Sequence, residues 1–134
     1  MKIKKKYYYA FSIFCILNAF KFFMLYILNI NFIFFEIAVY IKVFHCIVNI
    51  YFVDNVYMII DHILIFIISI ISLFYKYNLD FTIIMFLLND INTLLFIIQK
   101  YVNYNHKIFE ISCIIQNILN LPMKIMYLFN FIRQ

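Results

Sequence analysis

The feature that most constrains this chain is a succession of apolar segments, each about 20 residues long, the length that spans a bilayer as a helix. Only short polar breaks separate them: Asn29-Ile30-Asn31, Asp54-Asn55 and Lys76-Tyr77-Asn78, with a longer polar stretch from Gln99 to Lys107. Segments of this length, without period-two alternation, satisfy their own backbone hydrogen bonds by coiling into helices. Composition points the same way. Of 134 residues, 68% are hydrophobic and 13% charged, whereas a soluble domain is about half apolar and about a quarter charged. Folded in water, such a chain would expose apolar patches that drive aggregation. Lipid is the solvent that fits.

The sequence therefore predicts an all-α fold, a polytopic transmembrane helix bundle of four or five helices, forming a single helical membrane domain over residues 1–134. The predicted helices run from Tyr7 to Leu28, Phe32 to Val53, Val56 to Tyr75, Leu79 to Ile98 and Ile108 to Phe129. Pro122 should kink the last of them or end it early. In the four-span alternative, that last segment lies in the interface.

The net charge of +5 is not a nucleic-acid signature. Four of the eleven basic residues, Lys2, Lys4, Lys5 and Lys6, stand together before the first apolar segment, and the rest are isolated. Such a cluster holds the N-terminal side in the cytoplasm or matrix. The other reading, the head of a cleaved signal peptide, lacks a small-x-small site in the stretch that follows, and Lys21 interrupts that stretch. Cys15, Cys46 and Cys113 are odd in number, widely spaced and set in apolar segments, so they read as small buried residues and not as a disulfide framework.

Polar residues inside the apolar segments fall at helical spacing. Ala38, Lys42, His45 and Asn49 share one face of the second segment. Asp61, Ser69, Ser72 and Lys76 share one of the third, Thr82, Asn89 and Thr93 one of the fourth, and Glu110, Cys113, Asn117 and Lys124 one of the fifth. An ionised group turned to lipid costs at least ~2.5–3.5 kcal/mol, so these stripes are expected against other helices. Without glycine, no GxxxG contact exists. Packing is then expected through Phe, Ile and Leu, with polar pairs between helices and other membrane subunits completing the bundle.

Zero glycine also removes whole classes of chemistry. A phosphate-binding loop, a dinucleotide fingerprint and a nucleophile elbow all require it. Neither CxxC nor HExxH occurs. The chain is not expected to be catalytic alone. What remains are ionisable residues within apolar segments: Lys21, Glu36, Lys42, His45, Asp61, His62, Asp90 and Glu110. They suit a proton path, a cofactor site or a quinone pocket, or else helix pairing and snorkelling; Lys21 and Glu36 are near enough in depth to form an ion pair. His45 and His62 lie at similar distances either side of the Asp54-Asn55 turn, so an antiparallel hairpin brings them to one depth. Two such histidines can hold a b-type haem between them. Alternatively, His45 bonds Asp61, or His62 caps the third helix.

The stretch His45 to Tyr57, HCIVNIYFVDNVY, resembles the small cytochrome b membrane-anchor subunit of succinate dehydrogenase (complex II), a short family built on three transmembrane helices. The resemblance implies haem ligation by His45, with His62 or a histidine of another subunit opposite, and a quinone site at Asp54 and Tyr57, with ubiquinone as its occupant. In that family the Asp and Tyr are adjacent, their interval from the His is longer, and a glycine follows the His. A second likeness, Glu36 early in the second span, is to the smallest membrane subunit of complex I, although Ser72 stands near where that family's next carboxylate lies. Both likenesses imply a mitochondrial inner-membrane, respiratory-chain location; the A/T-rich codon bias behind so many Ile, Phe, Asn and Lys residues is compatible with it. A membrane subunit of ATP synthase or a small stand-alone transporter is the alternative.

Overall fold

The computed structural model describes the backbone of residues 2–29, 31–52, 56–102 and 106–134, and their side chains except at 2–6, 52, 57, 58, 96, 99–102, 106, 108, 109, 112, 113 and 115–117. Among these residues the chain forms five helices and no strand: α1 Lys2–Asn29, α2 Phe32–Phe52, α3 Val56–Tyr75, α4 Leu79–Val102 and α5 His106–Arg133. They group into two compact units, Met1–Leu79 and Asp80–Gln134.

In the first unit α2 is the central element and packs on both α1 and α3. The α1–α2 turn works without glycine because Asn31 caps α2: its Oδ1 accepts from Ile33 N at 3.1 Å, satisfying one of the donors a helix start leaves open. The end of α3 is more costly. Lys76 and Asn78 both adopt left-handed backbone, with φ of 50° and 43°. Asn tolerates that region, but for a Lys it costs about 1–2 kcal/mol. Part of this is offset by the Lys76 ammonium, 4.4 Å from the centre of the Phe32 ring, a cation–π contact worth about 0.5–1 kcal/mol at an exposed site.

The buried face of α1 is Ser12, Cys15, Ile16, Ala19 and Phe23; that of α2 is Phe35, Ala38, Val39, Lys42, His45, Cys46 and Asn49. Steps of three and four place each set on one stripe. Phe23 and Phe35 meet edge-on with centroids 5.9 Å apart. The few small residues thus sit in the buried faces, with Ala19, Ala38, Ser12, Ser69 and Ser72 fully covered. Packing through large side chains alone, as expected above, is only part of the interface.

Two expectations are corrected. The polar stretch from Gln99 to Lys107 is not one loop: α4 continues to Val102 and α5 begins at His106. Gln, Lys and Tyr end an apolar segment without ending a helix, because their helix propensities are adequate. Nor does Pro122 end α5, which runs on to Arg133. Pro122 is exposed, and lacking an N–H it leaves the carbonyl of Ile118 without its intrahelical donor.

By length and composition, Tyr7–Asn29 and Phe32–Tyr51 are long and apolar enough to cross a membrane, and Ile59–Tyr75 is a shorter apolar helix.

Candidate functional site

The stripe of polar residues on α2 finds its partners on α1. His45 is 2% exposed. Its Nε2 lies 3.0 Å from Ser12 Oγ, and its Nδ1 lies 3.5 Å from Lys42 Nζ, one turn earlier on the same helix. Lys42 is itself buried, at 6% exposure. A lysine ammonium can only donate. With Lys42 charged, Nδ1 must accept, and Nε2–H then donates to Ser12. Tyr8 stands one turn before Ser12 on α1, and its phenol donates to Asn49 Oδ1. Phe11 closes the cluster edge-on to His45, with centroids 6.1 Å apart. Antiparallel packing explains the register: Tyr8 meets Asn49 and Ser12 meets His45, so a step of four along α1 matches a step of four back along α2.

Toward α3, the Cys46 thiol donates to the carbonyl of His62 at 3.2 Å. Cys46 adjoins His45, so His45 and His62 do stand at one level of the α2–α3 pair, and both are buried. Their surroundings are more specific than the shared depth. Both ring nitrogens of His45 already face protein groups, Ser12 and Lys42. Iron bound by His45 would have to displace one of them, and a porphyrin between α2 and α3 would have to part the Cys46–His62 contact. His45 does not bond Asp61 through either of these contacts; Asp61 is half-buried. Asp54, and the side chain of Tyr57, lie outside the described residues. Lys21 is exposed, its ammonium 5.7 Å from the centre of the Phe22 ring, and it forms no ion pair with the half-buried Glu36.

The second unit has a polar cluster of its own. Lys124 of α5 is fully buried and donates to Asn89 Oδ1 of α4 at 3.2 Å; Asn120 Nδ2 donates to the same oxygen at 3.4 Å. Three buried atoms on α4, Asn89 Nδ2, Asp90 Oδ2 and Asn92 Oδ1, make no hydrogen bond among the described residues, although Asp90 and Asn92 each make other contacts. Beside the cluster, Phe81 stacks on Tyr127 with centroids 5.3 Å apart. Glu110, placed on the same stripe as Lys124 by its spacing, is exposed, and the side chains of Cys113 and Asn117 lie outside the described ones.

Sequence reasoning found Lys42, His45, Asn49, Asn89 and Lys124. It missed Tyr8, Ser12 and Asn120. A signal existed for Ser12: with Cys15 and Ala19 it makes a stripe of small residues at helical spacing in a segment otherwise built of large ones. Nothing distinguishes Tyr8 from the eleven other tyrosines before α1 is laid against α2.

Among the described residues no group of three His, Cys, Asp or Glu side chains could hold a metal ion. The fold and site thus define an all-helical chain with two helices of membrane-crossing character and polar side chains turned inward. Comparison with protein-family models, with characterised proteins and with solved structures found no match.

Proposed function

We propose that this chain is an integral membrane protein acting as a non-catalytic subunit of a larger membrane assembly. The observation that carries the reading is an inversion of the usual distribution. Lys42, His45, Asp90 and Lys124 are buried, while Phe14 is 65% exposed, Phe44 57% and Ile118 61%. Water would reverse that arrangement; lipid favours it, because an inward charge is shielded and an outward Phe costs nothing. Helix lengths agree. At ~1.5 Å per residue, α2 and α3 span about 30 Å, the thickness of a bilayer's hydrocarbon core. The outward faces of α1, α2 and α3 are mostly large and apolar, with Ala10, Lys21 and Asn29 of α1 the exceptions, which suits contact with lipid and with the helices of other subunits alike.

The finer reading is an anchor subunit of a complex II-type respiratory enzyme in the mitochondrial inner membrane, with His45 as haem ligand and Asp54 and Tyr57 near a quinone. It rests on the resemblance of residues 45–57. On this reading His45 would hold the haem iron, with the opposing ligand supplied by His62 or by another subunit.

Two experiments test these readings. Alkaline carbonate extraction should leave the chain in the membrane pellet; recovery in the soluble fraction overturns the membrane reading. On native gels in mild detergent it should migrate within a particle much larger than a monomer or dimer, and the co-migrating proteins would name the complex. In that purified particle, a His45→Ala variant that keeps full b-type absorption removes the haem assignment while leaving the subunit reading standing.

A further inference from the structure

Two opposite charges, Lys21 and Glu36, stand at one level of the α1–α2 pair and do not meet within the chain. Their level follows from the contacts beside them. Phe22 meets Phe34 and Phe23 meets Phe35, with centroids 6.5 and 5.9 Å apart, as Ser12 meets His45 farther along. In antiparallel helices these contacts set Lys21 level with Glu36. Lys21 follows the fully buried Ala19 by two residues, about 200° round the helix. It is therefore exposed on the side away from α2, with its ammonium 5.7 Å from the centre of the Phe22 ring. Glu36 is half-buried. Among the described residues neither side chain has an oppositely charged partner; Lys76 of the same unit is seated over Phe32 instead. Both charges lie inside the two segments long and apolar enough to cross a membrane, where a charge left to lipid is costly.

Each charge also stands in a seam of helix-packing rhythm. On α1, Ala10, Phe14, Leu17, Lys21 and Met24 are all exposed and follow alternating steps of four and three, the pattern by which one helix seats another. On α2, Ile33, Glu36, Tyr40, Val43 and Ile47 follow steps of three and four, with Ile33, Tyr40 and Ile47 exposed and Glu36 and Val43 half-buried. The register that levels Lys21 with Glu36 levels the rest of the two seams as well. Met24 falls at Ile33, Leu17 at Tyr40, Phe14 at Val43, and the small Ala10 at the larger Ile47. Copies inserted in one membrane share one depth and one sense. A level shared by α1 and α2 within a chain is then also shared by α1 of one copy and α2 of the next. Packing α1 on the α1 of another copy would instead set Lys21 against Lys21, and like charges across an interface disfavour it.

We propose that a second copy of this chain covers the Lys21 seam of α1 with the Glu36 seam of its own α2, and that a Lys21–Glu36 ion pair joins the copies. The ammonium donates and the carboxylate accepts, so two charges that face lipid in a lone copy satisfy each other between copies. The contact is head to tail. Each copy offers Lys21 on one side and Glu36 on the other, so the contact repeats and closes into a ring where the rotation allows. The inference rests on the membrane reading, because a bilayer is what holds the copies at one level and in one sense. It names one partner in the proposed assembly, a further copy of the chain itself.

The test uses full-length chains carrying a donor or an acceptor fluorophore, reconstituted together in phosphatidylcholine vesicles, with energy transfer reporting association. Wild-type chains should transfer energy well above chance proximity at the same density. Lys21→Glu alone and Glu36→Lys alone should each weaken association roughly tenfold or more, because each sets like charges across the contact. Donor-labelled Lys21→Glu mixed with acceptor-labelled Glu36→Lys should associate again, since the charges are then opposite across the contact; a role confined to either residue's own chain gives no such rescue. Phe20→Ala, exposed on α1 but outside the seam, should leave association unchanged. Should a charge reversal fail to insert, Ala10→Phe, which crowds the position facing Ile47, should weaken association and decides in its place. Wild-type transfer at the chance level overturns the contact, as does association unchanged by Lys21→Glu or by Ala10→Phe, or a mixture of the two charge variants that stays apart. Chains that resist carbonate extraction yet stay apart in vesicles sink the contact alone and leave the membrane reading standing; chains released by carbonate sink the membrane reading itself.

Discussion

Replacing Asn89 with Ala should destabilise the second unit more than removing the lysine that Asn89 binds. Asn89 Oδ1 accepts from the fully buried Lys124 at 3.2 Å and from Asn120 at 3.4 Å. A hydrogen bond to a charged group contributes about 1.5–3 kcal/mol. The longer bond to Asn120 lies beyond the usual 2.7–3.2 Å range and adds at most about 0.5 kcal/mol. Interhelical hydrogen bonds measured in lipid average about 0.6 kcal/mol and reach about 1.7. An expected loss of about 2 kcal/mol for Asn89→Ala falls between these bounds. Lys124→Met is different in kind. It removes the ammonium together with its desolvation penalty, fills nearly the same volume, and leaves Asn89 bonded to Asn120, so the change should stay within about 1 kcal/mol of wild type. With the lysine gone, Asn89→Ala should cost only the weak Asn120 bond, and the double variant should show a coupling of about 1–2 kcal/mol. Equilibrium unfolding by SDS titration in mixed micelles, followed by helicity, measures all three. If Lys124→Met costs more than Asn89→Ala, or the two losses add to within about 0.3 kcal/mol, the α4–α5 contact does not hold the unit together as argued.

Other consequences can be checked on the same preparation. Phe23→Ala should cost roughly 3–5 kcal/mol, because a cavity opens against Phe35; Phe14→Ala, on the 65% exposed outer face, should stay within about 0.5 kcal/mol, and equal losses at both sites in thermal unfolding would contradict the assigned faces. Pro122→Ala should stabilise α5 by about 1–3 kcal/mol by restoring the bond to Ile118, and a loss of stability in the same scan would mean that the proline ring is packed. Lys76→Gly should stabilise the end of α3, relieving about 1–2 kcal/mol of left-handed strain against about 0.5–1 kcal/mol of lost cation–π contact with Phe32; lower stability in the SDS titration would show that the contact outweighs the strain.

Helix identity was legible residue by residue because a helix closes its hydrogen bonds locally, and apolar segments of spanning length leave few alternatives. The range Val56–Tyr75 was read directly, and the Ala38, Lys42, His45 and Asn49 stripe lies on the buried face that its spacing implies. Helix ends were less legible: hydropathy marks where an apolar segment stops, while Gln99, Lys100 and Tyr101 extend α4 past that point, and α5 continues through Pro122. Two histidines at one level could also be read, since depth follows from counting residues back from a turn.

What the histidines touch could not be read. Spacing along α2 determined that His45 points inward with Lys42, by the period of the helix alone. Only the packing of α1 on α2 decided that Ser12 meets His45 and Tyr8 meets Asn49, and only the meeting of α4 with α5 decided that Lys124 is held by Asn89. These contacts join residues 33 to 41 positions apart. Over such separations the partner is chosen by how two helices rotate and slide until their donors, acceptors and small residues coincide, and that choice has no local code.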